Sequence, residues 1–415
     1  MPDSRTHGLC AGLLGLIFCA NPAWAEIRQS DLDAIRTGSA GIELAGIVLA
    51  TADRQGRIHA LASGCARFSA NSRVNDQSCA VPLRTDGLMR VASISKLVTA
   101  AKVQRSIDRG YLALDQDVSS VLGFDLRNPS FPIQAITVRQ LLNHTSSIID
   151  SEQYWLPWPE TIDANSRTTH RFDTEHAPGS YFRYCNFNYV LLGQILERLS
   201  GQPFGVLMSR HQFEPLKLTA GFNWHFARAI DPARVVTLYR KQTDIGAWSP
   251  DGAWIAQVDD FSGSAPSNTL DVSRYLIGSN GSVFSPHGGL RIALPDLARW
   301  FAQLDRRTFK ALRSDVFRVS PDGGNGASER GFYREIGHGM HAFDLPGVGK
   351  VWGHFGEAYG LRAALLRDPA SHRVWAYAIT GYADDPEKFP GRLPGLDTAQ
   401  TALLDLLGLA GSGKL

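Results

Sequence analysis

A serine and a lysine three residues apart lie in the apolar stretch RVASISKLVTAAK, residues 90–102. On a helix, side chains at this spacing share a face, so the hydroxyl of Ser93 can meet the amine of Lys96. Moving a charged ammonium out of water is costly, and burial would lower the pKa of the lysine. The pair therefore predicts a nucleophilic serine and a proton-accepting amine. A solvated Lys96 with a helix-capping Ser93 is the alternative.

A tyrosine and an asparagine two residues apart form a second candidate group, Tyr184-Cys185-Asn186. In an extended segment their side chains point the same way. Tyr184 could exchange a proton with the serine or the leaving group if cationic neighbours lower its pKa, and Asn186 could bind a substrate amide. Two structural alternatives stay open: a core tyrosine, and Asn186 or Asn188 as the cap of the next helix.

A histidine and a glycine form a third group, His354-Phe355-Gly356, on the edge of a predicted strand. Gly356 would let a substrate backbone approach closely. The imidazole of His354 could donate a hydrogen bond to a substrate carboxylate or to a tetrahedral intermediate, although a structural role is the alternative. His338 and His341 have no obvious third ligand beside them, so we expect no metal, and we expect no cofactor.

The N-terminal 25 residues have the features of an export signal. Arg5 gives a positive start, residues 9–20 form an apolar core, and Ala23-Trp24-Ala25 matches the small-x-small cleavage pattern. The apolar run is too short to be a stable membrane anchor. We therefore predict a signal peptide at 1–25 and a periplasmic or secreted mature protein.

The charge balance of the chain bears on its partners. There are 42 Lys and Arg residues against 40 Asp and Glu residues, which gives a formal net charge of +2. This balance is typical of neither nucleic-acid-binding proteins nor proteins with acidic partners. We expect a small-molecule or peptide substrate, no nucleic acid, and no stable membrane anchor after signal cleavage.

Export changes the interpretation of the cysteines. Cys65, Cys79 and Cys185 stay in the mature chain, and an odd number leaves one thiol unpaired. Cys65 and Cys79 flank a short polar stretch, and an oxidising compartment favours a disulfide between them. Such a bond would stabilise the fold by about 3 kcal/mol. Cys185 is then either a free thiol near the nucleophile or a small packed residue.

Strands are predicted at both ends of the chain, with helices and loops between them. The predicted strands are residues 46–50, 57–61, 351–352, 361–367 and 374–380, and the predicted helices include 137–143, 189–200 and 397–407. This order predicts an α+β fold, in which one antiparallel sheet is built from both chain ends, flanked by helices, and a mainly helical region is inserted. We assign one domain to 26–415: an α/β part at about 26–100 and 330–415, and a helical and loop region at about 101–329. Within it, residues 212–290 are predicted to form long loops over a cleft.

The three groups, in this order, resemble a serine hydrolase family that contains class C β-lactamases, DD-peptidases, and related esterases and D-amino-acid amidohydrolases. Five stretches carry the resemblance: GLMRVASISKLVTA, ITVRQLLNHTSS, YCNFNYVLLGQILERLSG, GGLRIALPDLARW and GHFGEAYG. Serine-x-x-lysine is a motif of β-lactamases and penicillin-binding proteins. The resemblance covers nearly the whole mature chain and implies a β-lactamase/transpeptidase-like fold.

The resemblance also implies roles for the first two groups. Ser93 resembles the acylated nucleophile, with Lys96 and Tyr184 as its base and proton shuttle. Asn186 resembles the residue that positions a substrate amide. The motif around Cys185 often has Ser at that position in the family, so this residue is a departure.

On the edge strand, His354 stands before x-Gly356 where the family carries Lys or His. The backbone N–H groups of Ser93 and Glu357 would form the oxyanion hole, the donor pair that faces the developing charge. Class C β-lactamases typically carry Lys-Thr-Gly here, so His354 favours the peptidase and amidohydrolase branches. Ser147 in NHTSS is another departure, because the family usually has Gly there, and the shape of this loop stays open.

The leading hypothesis is an exported serine hydrolase that acts through an acyl-enzyme on a small amide, peptide or ester. A D-amino-acid peptide, as for a DD-carboxypeptidase, is the favoured amide, and an esterase substrate is included. One alternative is a class C-like β-lactamase. Another is a penicillin-recognising binding or sensor protein without turnover, although a pure binder has no need of the complete set of candidate catalytic residues.

Overall fold

The computed structural model describes residues 27–39, 41–69, 77–152, 154–163, 170–226, 230–243, 246–259, 273–329, 331–383 and 389–411. The predicted signal peptide lies outside these ranges. Within them the chain has an α+β fold with a large antiparallel sheet, which confirms the predicted fold class.

Helices are concentrated in the middle of the chain, and the longest strands lie towards its two ends. The α-helices are α1 (Gln29–Ala34), α2 (Ile94–Asp108), α3 (Ser119–Leu122), α4 (Val138–Leu142), α5 (Phe187–Ser200), α6 (Phe204–Met208), α7 (Leu294–Ala302), α8 (Arg306–Leu312) and α9 (Thr398–Leu406). The strands are β1 (Gly46–Ala52), β2 (Ile58–Phe68), β3 (Cys79–Pro82), β4 (Met89–Arg90), β5 (Ile148–Asp150), β6 (His170–Phe172), β7 (Ala220–Phe222), β8 (His225–Phe226), β9 (Leu238–Gln242), β10 (Ala253–Val258), β11 (Leu290–Ile292), β12 (Phe317–Arg318), β13 (Glu335–Ile336), β14 (His341–Leu345), β15 (Gly349–Ala358), β16 (Leu361–Arg367) and β17 (Val374–Thr380).

The main sheet joins the two ends of the chain. Its strand order is β12-β13-β14-β15-β16-β17-β1-β2-β3, with antiparallel pairing. The junction is the pair β1–β17, whose register matches Gly46 with Thr380 and Ala52 with Val374. Strand β1 is therefore central in the sheet although it is the first strand of the chain.

Two hydrophobic cores lie on opposite faces of this sheet. Residues of β1 alternate between them: Val48 and Ala50 belong to one core, and Ile47 and Leu49 to the other. This is the period of two that a strand imposes on its side chains. The first core also contains α2, α5 and α7, and the second contains residues of α1 and α9. Because both faces are covered, every residue of β1 is buried.

The structure agrees with the predicted element order and corrects some of its detail. Strands β16 and β17 have the predicted bounds, whereas β15 is longer than the predicted residues 351–352. The region 212–290, which we predicted as loops, contains strands β7 to β10 and begins β11. These strands are only 2 to 6 residues long and pair in two small sheets apart from the main one, so their sequences are too short to show a clear period.

A disulfide links Cys65 and Cys79, as we predicted from their positions. It connects β2 to β3 at the edge of the main sheet. Cys185 is a free, buried cysteine. Among the helices that the structure describes, none combines the length and the apolar character that a membrane span requires.

Candidate active site

Ser93 lies at the start of α2, a helix in the centre of the molecule. α2 packs against α5, α8 and β15, and residues on most of its circumference are buried. The preceding residue, Ala92, has a φ of 44°, a left-handed conformation that costs energy for a residue other than glycine. This sharp turn ends the extended segment of β4 and starts the helix at Ser93. The side chain of Ser93 then faces a cavity.

The amine of Lys96 contacts Ser93 and two other groups. Its Nζ lies 3.0 Å from Ser93 Oγ, 2.8 Å from Asn186 Oδ1 and 2.9 Å from the backbone oxygen of His287. The side chain is fully buried, so the predicted contact with Ser93 is present and the alternative of a solvated lysine is wrong.

Burial determines the protonation of this amine. Desolvation lowers the pKa of Lys96 to about 7; the negative charge of Asp150 raises it in part, and the positive charge of Arg90 lowers it further. A neutral amine has two N–H groups and one lone pair. Asn186 Oδ1 and the carbonyl of His287 can only accept hydrogen bonds, so they take both N–H groups. The lone pair is then left for the hydroxyl proton of Ser93, as a general base requires.

Tyr184 stands beside the serine and the lysine. Lys96 Nζ lies 4.8 Å from the centre of the Tyr184 ring, and that ring stacks between His144 and Tyr333. Proton exchange by Tyr184 was predicted on the condition that cationic neighbours lower its pKa. Burial instead raises the pKa of the phenol well above 10, and the hydrogen bond with Ser93 lowers it only in part. The phenol therefore stays protonated near neutral pH and can supply a proton.

Asn186 is held in place by Asp150, a residue that the sequence analysis did not single out. The carboxylate accepts hydrogen bonds from the backbone N–H of Asn186 at 2.8 Å, from its Nδ2 at 2.8 Å, and from the N–H of Phe187 at 2.9 Å. Asn186 is the N-cap residue of α5, but its side chain makes no capping hydrogen bond. Its amide is directed to Lys96 and Asp150 instead, and Asn188 lies inside the helix, so neither caps it through its side chain.

Cys185 is packed and not exposed to the cavity. Its side chain is fully buried, and Sγ lies 3.3 Å from Asp150 Oδ1. Desolvation raises the pKa of the thiol well above its usual value, so the reactive thiolate is disfavoured. These contacts favour the packing interpretation of Cys185.

His354 lies behind the cavity wall. Its Nδ1 is 2.5 Å from the backbone oxygen of Phe355, which can only accept, so this nitrogen carries the proton. Its Nε2 lies 3.3 Å from Nε2 of His341. Burial lowers the pKa of His354 to about 3, so the ring is neutral and its bare Nε2 accepts from His341. The geometry thus gives His354 a place in the packing beside Tyr184, 6.2 Å away between ring centres.

Gly356 and Glu357 follow on β15 and line the cavity. A Cβ at Gly356 would lie 2.3 Å from the backbone oxygen of Val91, two residues before the nucleophile. The glycine therefore lets β15 approach the start of α2, in addition to facing any bound substrate. Glu357 lines the same cavity as Ser93, and its side chain is ion-paired with Arg362.

The loop in which Ser147 departs from the family pattern has an unusual backbone. Ser147 has a φ of 62° and His144 a φ of 60°, both in the left-handed region that glycine adopts most easily. The hydroxyl of Ser147 accepts a hydrogen bond of 3.0 Å from Asn128 Nδ2. The chain therefore keeps the turn without glycine, and Asp150 follows it on β5.

A cavity of about 390 Å³ collects most of the predicted residues. Those that line it are Ser93, Tyr184, Asn186, Gly356 and Glu357. Lys96 lies behind Ser93, and His354 lies behind Tyr184. Residues outside the predicted groups also line the cavity: Arg90, Tyr154, His287, Glu329, Tyr333 and Arg362. The arrangement places a nucleophile, a base of lowered pKa and a protonated phenol at one opening, which suits acyl transfer.

Comparisons of the sequence bear on the family. A family model described as Beta-lactamase matches residues 33–397. The chain is 30% identical over 196 residues to penicillin-binding protein 4 of Amycolatopsis lactamdurans. The aligned region covers 46% of this chain and 47% of that protein. It is 27% identical over 319 residues to esterase EstB of Burkholderia gladioli, which covers 71% of each. The match with the penicillin-binding protein thus spans about half of that relative.

Comparisons of the structure bear on the fold. A D-amino acid amidase from Ochrobactrum anthropi SV3, solved with L-phenylalanine amide, superposes with a TM-score of 0.64 at 19% identity, over 91% of this chain and 96% of that one. A D-stereospecific amidohydrolase from Streptomyces superposes with a TM-score of 0.59 at 20% identity, over 87% and 95%. These likenesses confirm the predicted β-lactamase/transpeptidase-like fold.

Proposed function

Because this chain belongs to the beta-lactamase family, as its motifs indicated, we propose that it is a serine hydrolase that acts through an acyl-enzyme. Its substrate is a small amide, peptide or ester. One observation carries the proposal: the buried amine of Lys96 lies 3.0 Å from the hydroxyl of Ser93, at the mouth of a cavity. A nucleophile in contact with a base of lowered pKa is what acyl transfer requires.

In the acylation step, Ser93 Oγ attacks the substrate carbonyl carbon and its proton moves to Lys96 Nζ. The carbonyl oxygen becomes negative and faces the backbone N–H groups of Ser93 and Glu357. When the intermediate collapses, the bond to the leaving group breaks. Tyr184 gives its proton to the leaving nitrogen or oxygen and takes the proton from Lys96, which restores the neutral amine.

Deacylation reverses these transfers with water. A water molecule attacks the Ser93 ester and gives a proton to Lys96, and the ester bond breaks. Lys96 gives this proton to Ser93 Oγ, which restores the neutral amine, and the acid leaves. The net reaction adds one water across the amide or ester bond, so the residues of the site need no cofactor.

A D-amino-acid peptide is the substrate that we favour, with an ester as a second possibility. The proteins of similar fold include D-amino acid amidases, and esterase EstB shares 27% identity. His354 replaces the lysine of class C β-lactamases, and its neutral ring leaves the third motif without a cation of its own. A β-lactamase or a penicillin sensor is less favoured for these reasons.

A substrate panel tests the proposal. Purified protein is incubated with an acyl-D-Ala-D-Ala peptide, short p-nitrophenyl esters and a chromogenic cephalosporin, while intact mass follows any adduct on Ser93. Turnover of the peptide or the esters supports the proposal. Rapid opening of the cephalosporin favours a β-lactamase, and a stable adduct without turnover favours a sensor.

The variant Ser93→Ala tests the nucleophile. It should lower kcat by about 1,000-fold or more, because the covalent intermediate cannot form. Ser106→Ala is the matched control: Ser106 lies on the same helix, roughly 20 Å further along at 1.5 Å per residue, and its hydroxyl donates to Lys102 O. Full activity in Ser93→Ala would contradict the mechanism.

Export is a separate part of the proposal, and it rests on residues 1–25. The expected mature protein begins at Glu26 and is found in the periplasm or the medium. N-terminal sequencing of protein from fractionated cells measures both. An uncleaved chain confined to the cytoplasm would contradict export without affecting the proposed chemistry.

A further inference from the structure

Arg90 places a guanidinium group on the wall of the cavity that contains Ser93. It is the last residue of β4, three residues before the nucleophile. The guanidinium carbon lies 5.0 Å from the centre of the Tyr359 ring, and a Cβ on Gly288 would come within 3.5 Å of its Nη2. These contacts hold the group in position through a cation–π interaction and through packing.

The guanidinium has no carboxylate partner among the described residues. Its Nε is buried without a hydrogen-bond partner, and no Asp or Glu of the described chain lies within ion-pair distance of Arg90. Arg90 is partly buried, and a cation that is withdrawn from water is costly unless an anion pairs with it. The cavity side of Arg90 therefore offers N–H groups that a ligand can use.

Asp259, the carboxylate whose charge acts on Arg90, is already paired with another arginine. Asp259 accepts hydrogen bonds from Arg291 Nε at 3.1 Å and from Arg291 Nη2 at 2.7 Å, and from Trp224 Nε1 at 3.0 Å. Arg291 and Asp259 form a fully buried ion pair. Because Arg291 already pairs with Asp259, this carboxylate does not compensate the positive charge of Arg90.

We propose that Arg90 binds a carboxylate of the substrate and so makes the enzyme selective for anionic substrates. The proposal rests on the proposed function, since it names a substrate class for that site. A planar guanidinium matches a carboxylate with two parallel hydrogen bonds. The carboxylate can belong to the acyl part or to the leaving group.

Two pairs of substrates locate this carboxylate. N-succinyl-D-alanine p-nitroanilide and its N-acetyl analogue differ by a carboxylate on the acyl side. N-acetyl-D-Ala-D-Ala and its C-terminal carboxamide differ by a carboxylate on the leaving side. For wild-type protein we expect the anionic member of one pair to have the higher kcat/KM. If the neutral member is preferred in both pairs, the proposal is overturned, whether or not any variant folds.

The variant Arg90→Gln provides the second test. On the alkaline plateau of the pH profile, it should lower the anionic-to-neutral ratio of kcat/KM by about 10- to 100-fold, the usual effect of losing a hydrogen bond to a charged group. Arg90→Lys should retain part of the ratio. Arg84→Gln is the control, because this substitution removes the same charge from an exposed surface ion pair between Arg84 and Asp86.

If Arg90→Gln leaves the anionic-to-neutral ratio of kcat/KM unchanged, the proposal is overturned, even when the kcat/KM values for both substrates fall. Such a result leaves the proposed hydrolase function intact, provided that the adduct on Ser93 still forms. Loss of the Ser93 adduct in wild-type protein would instead reject the hydrolase mechanism itself. The two failures are therefore distinguishable.

Discussion

Asp150 binds Asn186 at two points, at the backbone N–H and at the side-chain Nδ2, each at 2.8 Å. Asn186 in turn presents its Oδ1 to the amine of Lys96. A carboxylate at the end of β5 therefore orients the amide that contacts the general base. The same negative charge raises the pKa of Lys96, against the larger effect of burial. Asp150 is thus a positioning residue with an electrostatic effect on the site.

The variant Asp150→Asn should impair both the site and the fold. An amide NH₂ in place of one oxygen would face N–H groups that have no other acceptor, and an unsatisfied buried donor costs about 1–3 kcal/mol of unfolding free energy. We expect kcat to fall and the acid limb of the kcat/KM profile to move to lower pH, because Lys96 loses a stabilising negative charge. Chemical denaturation and a pH–rate profile measure the two effects.

Asp115→Asn is the control for this variant. Asp115 is exposed and binds Arg139 on the surface, and such pairs contribute about 0–1 kcal/mol. The control should leave the pH profile unchanged. If Asp150→Asn destabilises the protein but leaves the acid limb in place, its role is structural only.

The pH dependence of the wild-type enzyme should report Lys96. A pKa of about 7 means that the amine is protonated below this pH and cannot accept the Ser93 proton. The expected kcat/KM therefore rises as the pH increases through about 7 and then reaches a plateau. The phenol of Tyr184, whose pKa is raised well above 10, causes no fall near neutral pH.

The nearby histidines do not account for this rise of kcat/KM with pH, the acid limb of the profile. Burial lowers the pKa of His354 to about 3, and it lowers those of His144 and His341 well below 6.5. Arg90→Gln should move the limb to higher pH, opposite to Asp150→Asn, because the charge of Arg90 lowers the pKa of Lys96. A limb that stays fixed in both variants would contradict its assignment to Lys96.

The variant Gly356→Ala should disturb the site through the backbone. Its new Cβ would lie 2.3 Å from Val91 O, so β15 or the start of α2 must shift. Overpacking of this kind costs about 1–3 kcal/mol, and the oxyanion donors on Ser93 and Glu357 would separate. We expect kcat to fall by about 10-fold or more, with KM less affected.

A glycine outside the site provides the control for that variant. At Gly324 a new Cβ would approach only the side chain of Asp322, at 3.3 Å. Gly324→Ala should keep kcat within about twofold of wild type. Equal kinetics in Gly356→Ala and in wild type would show that the close approach is not required.

The sequence was sufficient for those parts of the site that depend on local spacing. Ser93 and Lys96 are one helical turn apart, so their contact follows from helix geometry alone. The strands of the main sheet were also predictable where they are long and fully buried, as in β16 and β17. These features are encoded within a few neighbouring residues.

Other parts of the site depend on contacts between distant segments. Asp150 and Asn186 are 36 residues apart, and His341 and His354 pair only because β14 and β15 are neighbours in the sheet. No local pattern in the sequence marks these contacts. The direction in which the pKa of Tyr184 shifts could not be predicted without the structure, because the effect of burial outweighs that of the nearby cation.

The disulfide between Cys65 and Cys79 should stabilise the fold without serving the chemistry. Its cysteines are 14 residues apart at the edge of the sheet, and a loop of that size corresponds to about 3 kcal/mol of unfolding free energy. The double variant Cys65→Ser/Cys79→Ser should unfold at lower denaturant concentration, while kcat at low temperature stays close to wild type. Alkylation of the unfolded mature protein without reductant should label Cys185 alone. Labelling of three thiols would contradict the bond, and an equal loss of kcat would show that the sheet edge supports the site.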